Sequence, residues 1–330
     1  MQKKHKSPQK AGYLFVLSVF TTVGLFVVNM MGFLDTETGS ALGCGREWPL
    51  CQNGVFPETW NLQSIIEFSH RMIVFTVGLL LLVTCILVWR KYSSWLEIRV
   101  FAAIALGGVI LESLLGALGV LFSDPPAELA THLGVAILSF TGSLLMTMAV
   151  YQIQNTGHQL FDQGLRPGAS NPVFHKWALI TLVYTYLAMY FGAYVANTGD
   201  GALFQGWPLP TERYAVVHST LIVDIAHRTI ALGLLSLVIW LVVLSRKKRN
   251  SIPSLYIGSL TALILVCSQA FSGAYLIYSH LSLPAFLTHV SIVTCLFATV
   301  AYLYVQTLPN RLPHVYRRRG AMGDIPHMNL

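Results

Sequence analysis

The chain has 330 residues, of which 54% are apolar and only 11% are Asp, Glu, Lys or Arg. Soluble domains carry about 25% charged residues, so with a mean hydropathy of +0.60 a water-soluble fold is excluded. Disorder and fibrous repeats go with it, because too much Leu, Ile, Val and Phe would stay solvated. What remains is an all-α integral membrane protein, since the apolar segments are too long for the strands of a barrel.

A spanning helix needs about 20 apolar residues, and eight segments qualify: 12–34, 65–89, 100–122, 127–151, 175–196, 215–244, 254–278 and 284–306. The first follows Lys3, Lys4, Lys6 and Lys10 in the manner of a signal peptide, but at 23 residues without a small-residue cleavage site it reads as a retained span. Assigning alternate loops to opposite sides puts 17 basic residues on one side. Arg46 and Arg213 lie on the other, and Arg71 and Arg228 within spans. The positive-inside rule then places both termini in the cytoplasm. The net charge of +7 is thus topological, with some attraction to anionic lipid; nucleic acid is not an expected partner. Of the five cysteines, Cys85, Cys267 and Cys295 lie inside apolar segments and read as packing residues, leaving Cys44 and Cys51 in one polar loop.

The chain repeats itself. A shift of 157 residues aligns Glu67-Phe68-Ser69-His70-Arg71 with Asp224-Ile225-Ala226-His227-Arg228. The same shift aligns Glu112 with Gln269, Gly116-Ala117 with Gly273-Ala274 and His132 with His289, without a gap. Upstream, Gly32 through Gly39 matches Gly192 through Gly199 at a shift of 160, and Trp48-Pro49-Leu50 matches Trp207-Pro208-Leu209 at 159. Four spans per half is an even number, so both halves enter the membrane from the same side as a parallel repeat. The expected architecture is two four-helix bundles, 1–151 and 175–306, joined by a cytoplasmic linker, 152–174, and followed by a basic tail, 307–330.

Histidine inside a span is costly and marks a candidate site. His70, His132, His227 and His289 fall at one expected depth, roughly 8 Å below the outer surface, two per bundle. Two facing imidazoles suit bis-histidine ligation of a haem iron in a bundle core. Zinc would want three or four ligands, and each half offers two histidines and one carboxylate. Single intramembrane histidines also serve as hydrogen-bonded packing residues; the duplication favours a ligand role.

Glu67 precedes His70 by three residues and Arg71 by four, and Asp224, His227 and Arg228 repeat the pattern. Each acid and arginine could form an ion pair that lowers the insertion cost. Alternatively the arginine pairs a haem propionate while the acid orients the histidine or manages protons. Cys44 and Cys51 face an oxidising compartment, where cysteines this close form a disulfide. The pair is either a structural staple or a redox-active, substrate-handling pair, and it does not match C-x-x-C-H haem attachment.

Jointly these residues resemble the haem A synthase family across roughly 12–306. The likeness is carried by Thr38-Gly39-Ser40, Gly43-Cys44-Gly45, Trp48-Pro49-Leu50-Cys51, Glu67 through Arg71, Gly116-Ala117-Leu118, His132, Asp224 through Arg228, Ser272-Gly273-Ala274 and His289. The resemblance implies oxidation of a ring methyl of haem O to a formyl group, giving haem A for terminal oxidases. It implies a haem b cofactor whose iron His227 and His289 ligate, with Arg228 and Asp224 beside it. The substrate haem is expected near His70, His132 and Arg71, with Glu67 needed for activity. Some family members carry a second cysteine pair before the sixth span, which this chain lacks.

Two competing readings are a two-haem b-type electron carrier and a parallel-repeat transporter. A carrier would stack its haems from one side of the membrane to the other, whereas these four histidines share one depth. A transporter would break its helices near the midplane. The partners expected are haem O, the haem O synthase that supplies it, an electron acceptor that the sequence does not identify, membrane lipid and, in a homo-oligomer, a second copy of the chain. The absence of an apparent transit peptide points to a bacterial cytoplasmic membrane, crossed several times.

Overall fold

The computed structural model describes residues 12–52, 54–122, 126–156, 171–198, 206–211 and 219–308. These form eight helices: α1 (Tyr13–Glu37), α2 (Leu62–Tyr92), α3 (Leu96–Phe122), α4 (Pro126–Thr156), α5 (Pro172–Thr198), α6 (Ser219–Arg246), α7 (Pro253–Tyr278) and α8 (Leu283–Gln306). The shortest has 24 residues, about 36 Å at 1.5 Å per residue, enough to cross a hydrocarbon core of about 30 Å. All eight are apolar enough to do so, and the protein is a multi-pass, all-helical membrane protein.

The helices outrun the apolar segments at several ends. Helix α2 starts three residues before the expected span and α4 runs five beyond it. Backbone capping, not hydropathy, sets such an end. The Asn61 side chain accepts the Ser64 N–H at 2.8 Å, and the Ser64 hydroxyl accepts the Asn61 N–H at 3.1 Å. Proline opens α7 and α8 near their first positions, where its missing N–H would be unpaired anyway. Most of the linker 157–170, the residues 212–218 before α6 and the tail from 309 lie outside the described residues.

In the first four helices α1 packs on α2, α2 on α3, α3 on α4 and α4 back on α1. Helices α5 to α8 close the same ring. Between the sets, α4 packs on α8, α1 on α8 and α4 on α5. Exchanging α1 with α5 and α4 with α8 leaves this pattern unchanged, as a two-fold axis along the bundle would require.

Helix association in lipid relies on close backbone approach and interhelical hydrogen bonds. Thr21 bonds Thr84 of α2 at 2.7 Å, while Thr22 bonds Ser143 and Thr147 of α4 at 2.8 and 2.9 Å. Ser139 of α4 donates to the carbonyl of Ala105 in α3 at 2.8 Å. Between the sets, Ile137 of α4, Met189 of α5 and Phe297 of α8 form a small buried cluster, and the Ser291 hydroxyl of α8 meets the Met30 sulfur of α1 at 2.8 Å.

Candidate functional site

His70 stands eight residues after the start of α2 and His227 eight after the start of α6; His132 and His289 each stand six after the starts of α4 and α8. The positions are matched between halves. His70 and His132 are close enough for their charges to interact, as are His227 and His289.

Each imidazole lies against a glycine of the next helix. A methyl added at Gly32 of α1 would sit 3.5 Å from His70 Nε2, and one at Gly116 of α3 would sit 3.3 Å from His132 Cε1. The equivalents in the second half are Gly192 and Gly273, each with 3.6 Å to Cε1 of His227 and His289. Glycine at these four positions lets the neighbouring backbone approach the imidazole closely.

The surroundings differ between halves. His70 Nδ1 lies 4.0 Å from Asp35 on α1, and His132 Nε2 lies 3.7 Å from Glu112 on α3. Asp35 escaped the sequence reading; its signal is a buried acid three residues beyond Gly32, where the repeat has Val195. His227 stacks on Phe191 of α5, ring centroids 6.3 Å apart. His289 is held at both nitrogens, Nδ1 by the Ser272 hydroxyl and Nε2 by the Gln269 side chain, each at 2.9 Å. Three buried polar atoms of this second cluster have no hydrogen-bond partner: His227 Nδ1, Arg228 Nη2 and Gln269 Oε1. Buried polar groups are nearly always satisfied, so these three atoms have hydrogen-bonding capacity to spare.

Each arginine of the repeat holds a loop. Arg71 pairs with Glu67 and donates through Nη1 to the carbonyls of Glu47, at 2.9 Å, and Leu50, at 2.6 Å. Arg228 donates through Nε to Asp224 at 2.8 Å and through Nη1 to the carbonyls of Gly206, at 2.7 Å, and Pro208, at 3.0 Å. Both loops carry a cis Trp-Pro bond between or at these acceptors, Trp48-Pro49 and Trp207-Pro208. The ion-pair reading of the acid and arginine therefore describes both helices, with loop anchoring added; Arg228 alone of the two has an unpaired guanidinium nitrogen recorded.

Glu67 is 3% exposed, and its second oxygen accepts the Cys44 N–H at 2.5 Å. Cys44 and Cys51, both buried, form a disulfide. Gly43 lets this loop press on the start of α2, since a methyl there would come within 2.4 Å of the Gln63 backbone, and Gly45 turns with φ +76°. The disulfide loop thus closes directly over Glu67, three residues from His70.

The cytochrome oxidase assembly protein family, COX15-CtaA, matches residues 15–301. The chain belongs to this family. Among its relatives, heme A synthase of Bacillus pumilus is 35% identical over 294 residues, covering 88% of this chain and 93% of the relative. Heme A synthase of Bacillus licheniformis is 33% identical over 288 residues, 87% and 93% of the two chains. That of Bacillus cereus is 30% identical over 290 residues, 87% and 91%.

Proposed function

We propose that the protein is a haem A synthase that oxidises a ring methyl of haem O to a formyl group, in a bacterial cytoplasmic membrane with both termini cytoplasmic. The observation carrying this reading is the duplicated geometry of two imidazoles per half at matched helix positions, each beside a glycine of the adjacent helix. The curated relatives bear the name heme A synthase, which does not favour the electron-carrier alternative.

In this reading the first bundle, 1–151, handles substrate haem O between His70 and His132, and the second, 175–306, holds haem b between His227 and His289, with 152–174 and 307–330 as cytoplasmic linker and tail. The donor set of the second half fits such a group. It offers two imidazoles for the iron, and the unpaired Arg228 nitrogen suits a propionate. Asp224 fixes that guanidinium. Bound there, haem would supply one-electron redox chemistry for the electrons that methyl oxidation releases.

The chain's own residues divide the remaining work. Glu67 is the catalytic carboxylate, positioned beside His70 to take protons from the methyl as it is oxidised. Arg71 and the backbone of Cys44 hold that carboxylate at one place, and the Cys44–Cys51 loop keeps bulk water off it. Haem O synthase, a membrane electron acceptor and a second copy of the chain remain the proposed partners.

The deciding experiment is co-expression with a haem O-producing enzyme, followed by pigment extraction. A formyl-bearing porphyrin is expected. Unchanged haem O, from a preparation that contains the folded red protein, would refute the assignment.

A further inference from the structure

We propose that Ser272 is a positioning residue that fixes the tautomer of His289, turning the Nε2 lone pair toward the iron of the second-half haem. The proposal rests on the haem-ligand reading above.

Ser272, buried on α7, has its hydroxyl oxygen 2.9 Å from the backbone carbonyl of Gln269 and 2.9 Å from His289 Nδ1. A hydroxyl owns a single hydrogen, and a carbonyl can only accept. The Gln269 amide nitrogen, which can only donate, lies 2.9 Å from His289 Nε2 and makes that atom the acceptor; the ring hydrogen then stands on Nδ1, the Ser272 oxygen accepts it, and the hydroxyl hydrogen turns to the Gln269 carbonyl. A neutral imidazole protonated at Nδ1 carries its lone pair at Nε2. Toward that atom the Gln269 side-chain amide donates at 2.9 Å, leaving its own Oε1 buried and unpaired.

The arrangement is a lock and a placeholder. Ser272 locks the ring, and Gln269 covers the nitrogen that would face the iron, its own Oε1 left unpaired. The equivalent of Ser272 in the first half is Leu115, which has no hydrogen-bonding group on its side chain. At this register the device belongs to the second half alone, as suits a resident cofactor and not a haem that must come and go. A hydrogen bond from the outer nitrogen also raises ligand basicity, which stabilises ferric over ferrous iron.

The test uses the full-length protein purified in detergent from a haem-proficient host, with Ser272→Ala, Ser272→Thr and His289→Ala. Haem transfer to an excess of apomyoglobin and the midpoint potential in a redox titration are measured for each. Ser272→Ala is expected to hold haem about 10–100-fold more weakly and to shift the potential upward, while Ser272→Thr, which keeps the hydroxyl, matches the parent. Unchanged retention and potential in Ser272→Ala would overturn the proposal, as would a Ser272→Thr variant indistinguishable from Ser272→Ala. His289→Ala separates the two layers. Loss of its low-spin haem signal beside an unaltered Ser272→Ala sinks the role of Ser272 alone, whereas a retained signal sinks the ligand assignment on which it stands.

Discussion

Glu67 accepts the backbone N–H of Cys44 at 2.5 Å, so the carboxylate proposed to act on the substrate also fastens the disulfide loop to α2. Its other oxygen is taken by Arg71, whose guanidinium reaches past it to the loop carbonyls of Glu47 and Leu50. Chemistry and loop closure meet in one side chain, and each can be tested against the other.

Replacing Glu67 with Gln keeps the volume and an acceptor for Cys44 but removes the proton-accepting charge. Haem A formation should fall by roughly 100-fold or more, with the low-spin haem signal retained. Extracted pigments and the visible spectrum of the same preparation decide it, and normal product would end the catalytic role of Glu67.

The loop itself should be a closed staple. Cys44 and Cys51 are expected to resist a membrane-impermeant maleimide until reduced, since both are buried in a disulfide. A bridge over so short a segment contributes roughly 2–3 kcal/mol, so the Cys44→Ser/Cys51→Ser variant should show a lower thermal midpoint in detergent. Product formation that persists in that variant would identify the pair as structural; its loss with the midpoint unchanged would point to redox work.

The halves should separate genetically. His227→Ala is expected to lose the resident low-spin signal, because Phe191 and Gly192 then face a side chain that cannot coordinate iron. His70→Ala should keep that signal while losing haem A production. The converse spectra would reverse the assignment of substrate and cofactor between the bundles.

The seam between halves offers a packing test. A methyl added at Gly134 of α4 would come within 2.1 Å of the Tyr190 hydroxyl and 2.8 Å of that of Tyr186, both on α5. Gly134→Ala should therefore cost about 1–3 kcal/mol, read as a drop in thermal midpoint. Adding Tyr190→Ala should make the two changes non-additive, with the second cancelling part of the first clash.

Length and polarity were readable from the chain; rotation was not. Eight runs of apolar residues announce eight helices, and costly residues such as His70 and His227 stand out against them. In lipid, however, the outward face is as apolar as the inward one, so periodicity does not say which way a helix turns. Nothing in the spacing therefore shows that Asp35 faces His70, and Ser272 stands out only as part of Ser272-Gly273-Ala274. The reach of Arg71 and Arg228 back to loop carbonyls was equally hidden, because it depends on loop paths that the Trp-Pro spacing signals without describing. His175 near the start of α5 likewise bonds Thr307 at the end of α8 at 2.9 Å, a contact that no spacing in the chain announces.

Helices α4 and α8 touch each other, and each bears one of the deep imidazoles, His132 and His289. The two halves consequently share a party wall, and its buried centre is the cluster of Ile137, Met189 and Phe297, through which a shift of either helix would reach the other without passing through a loop.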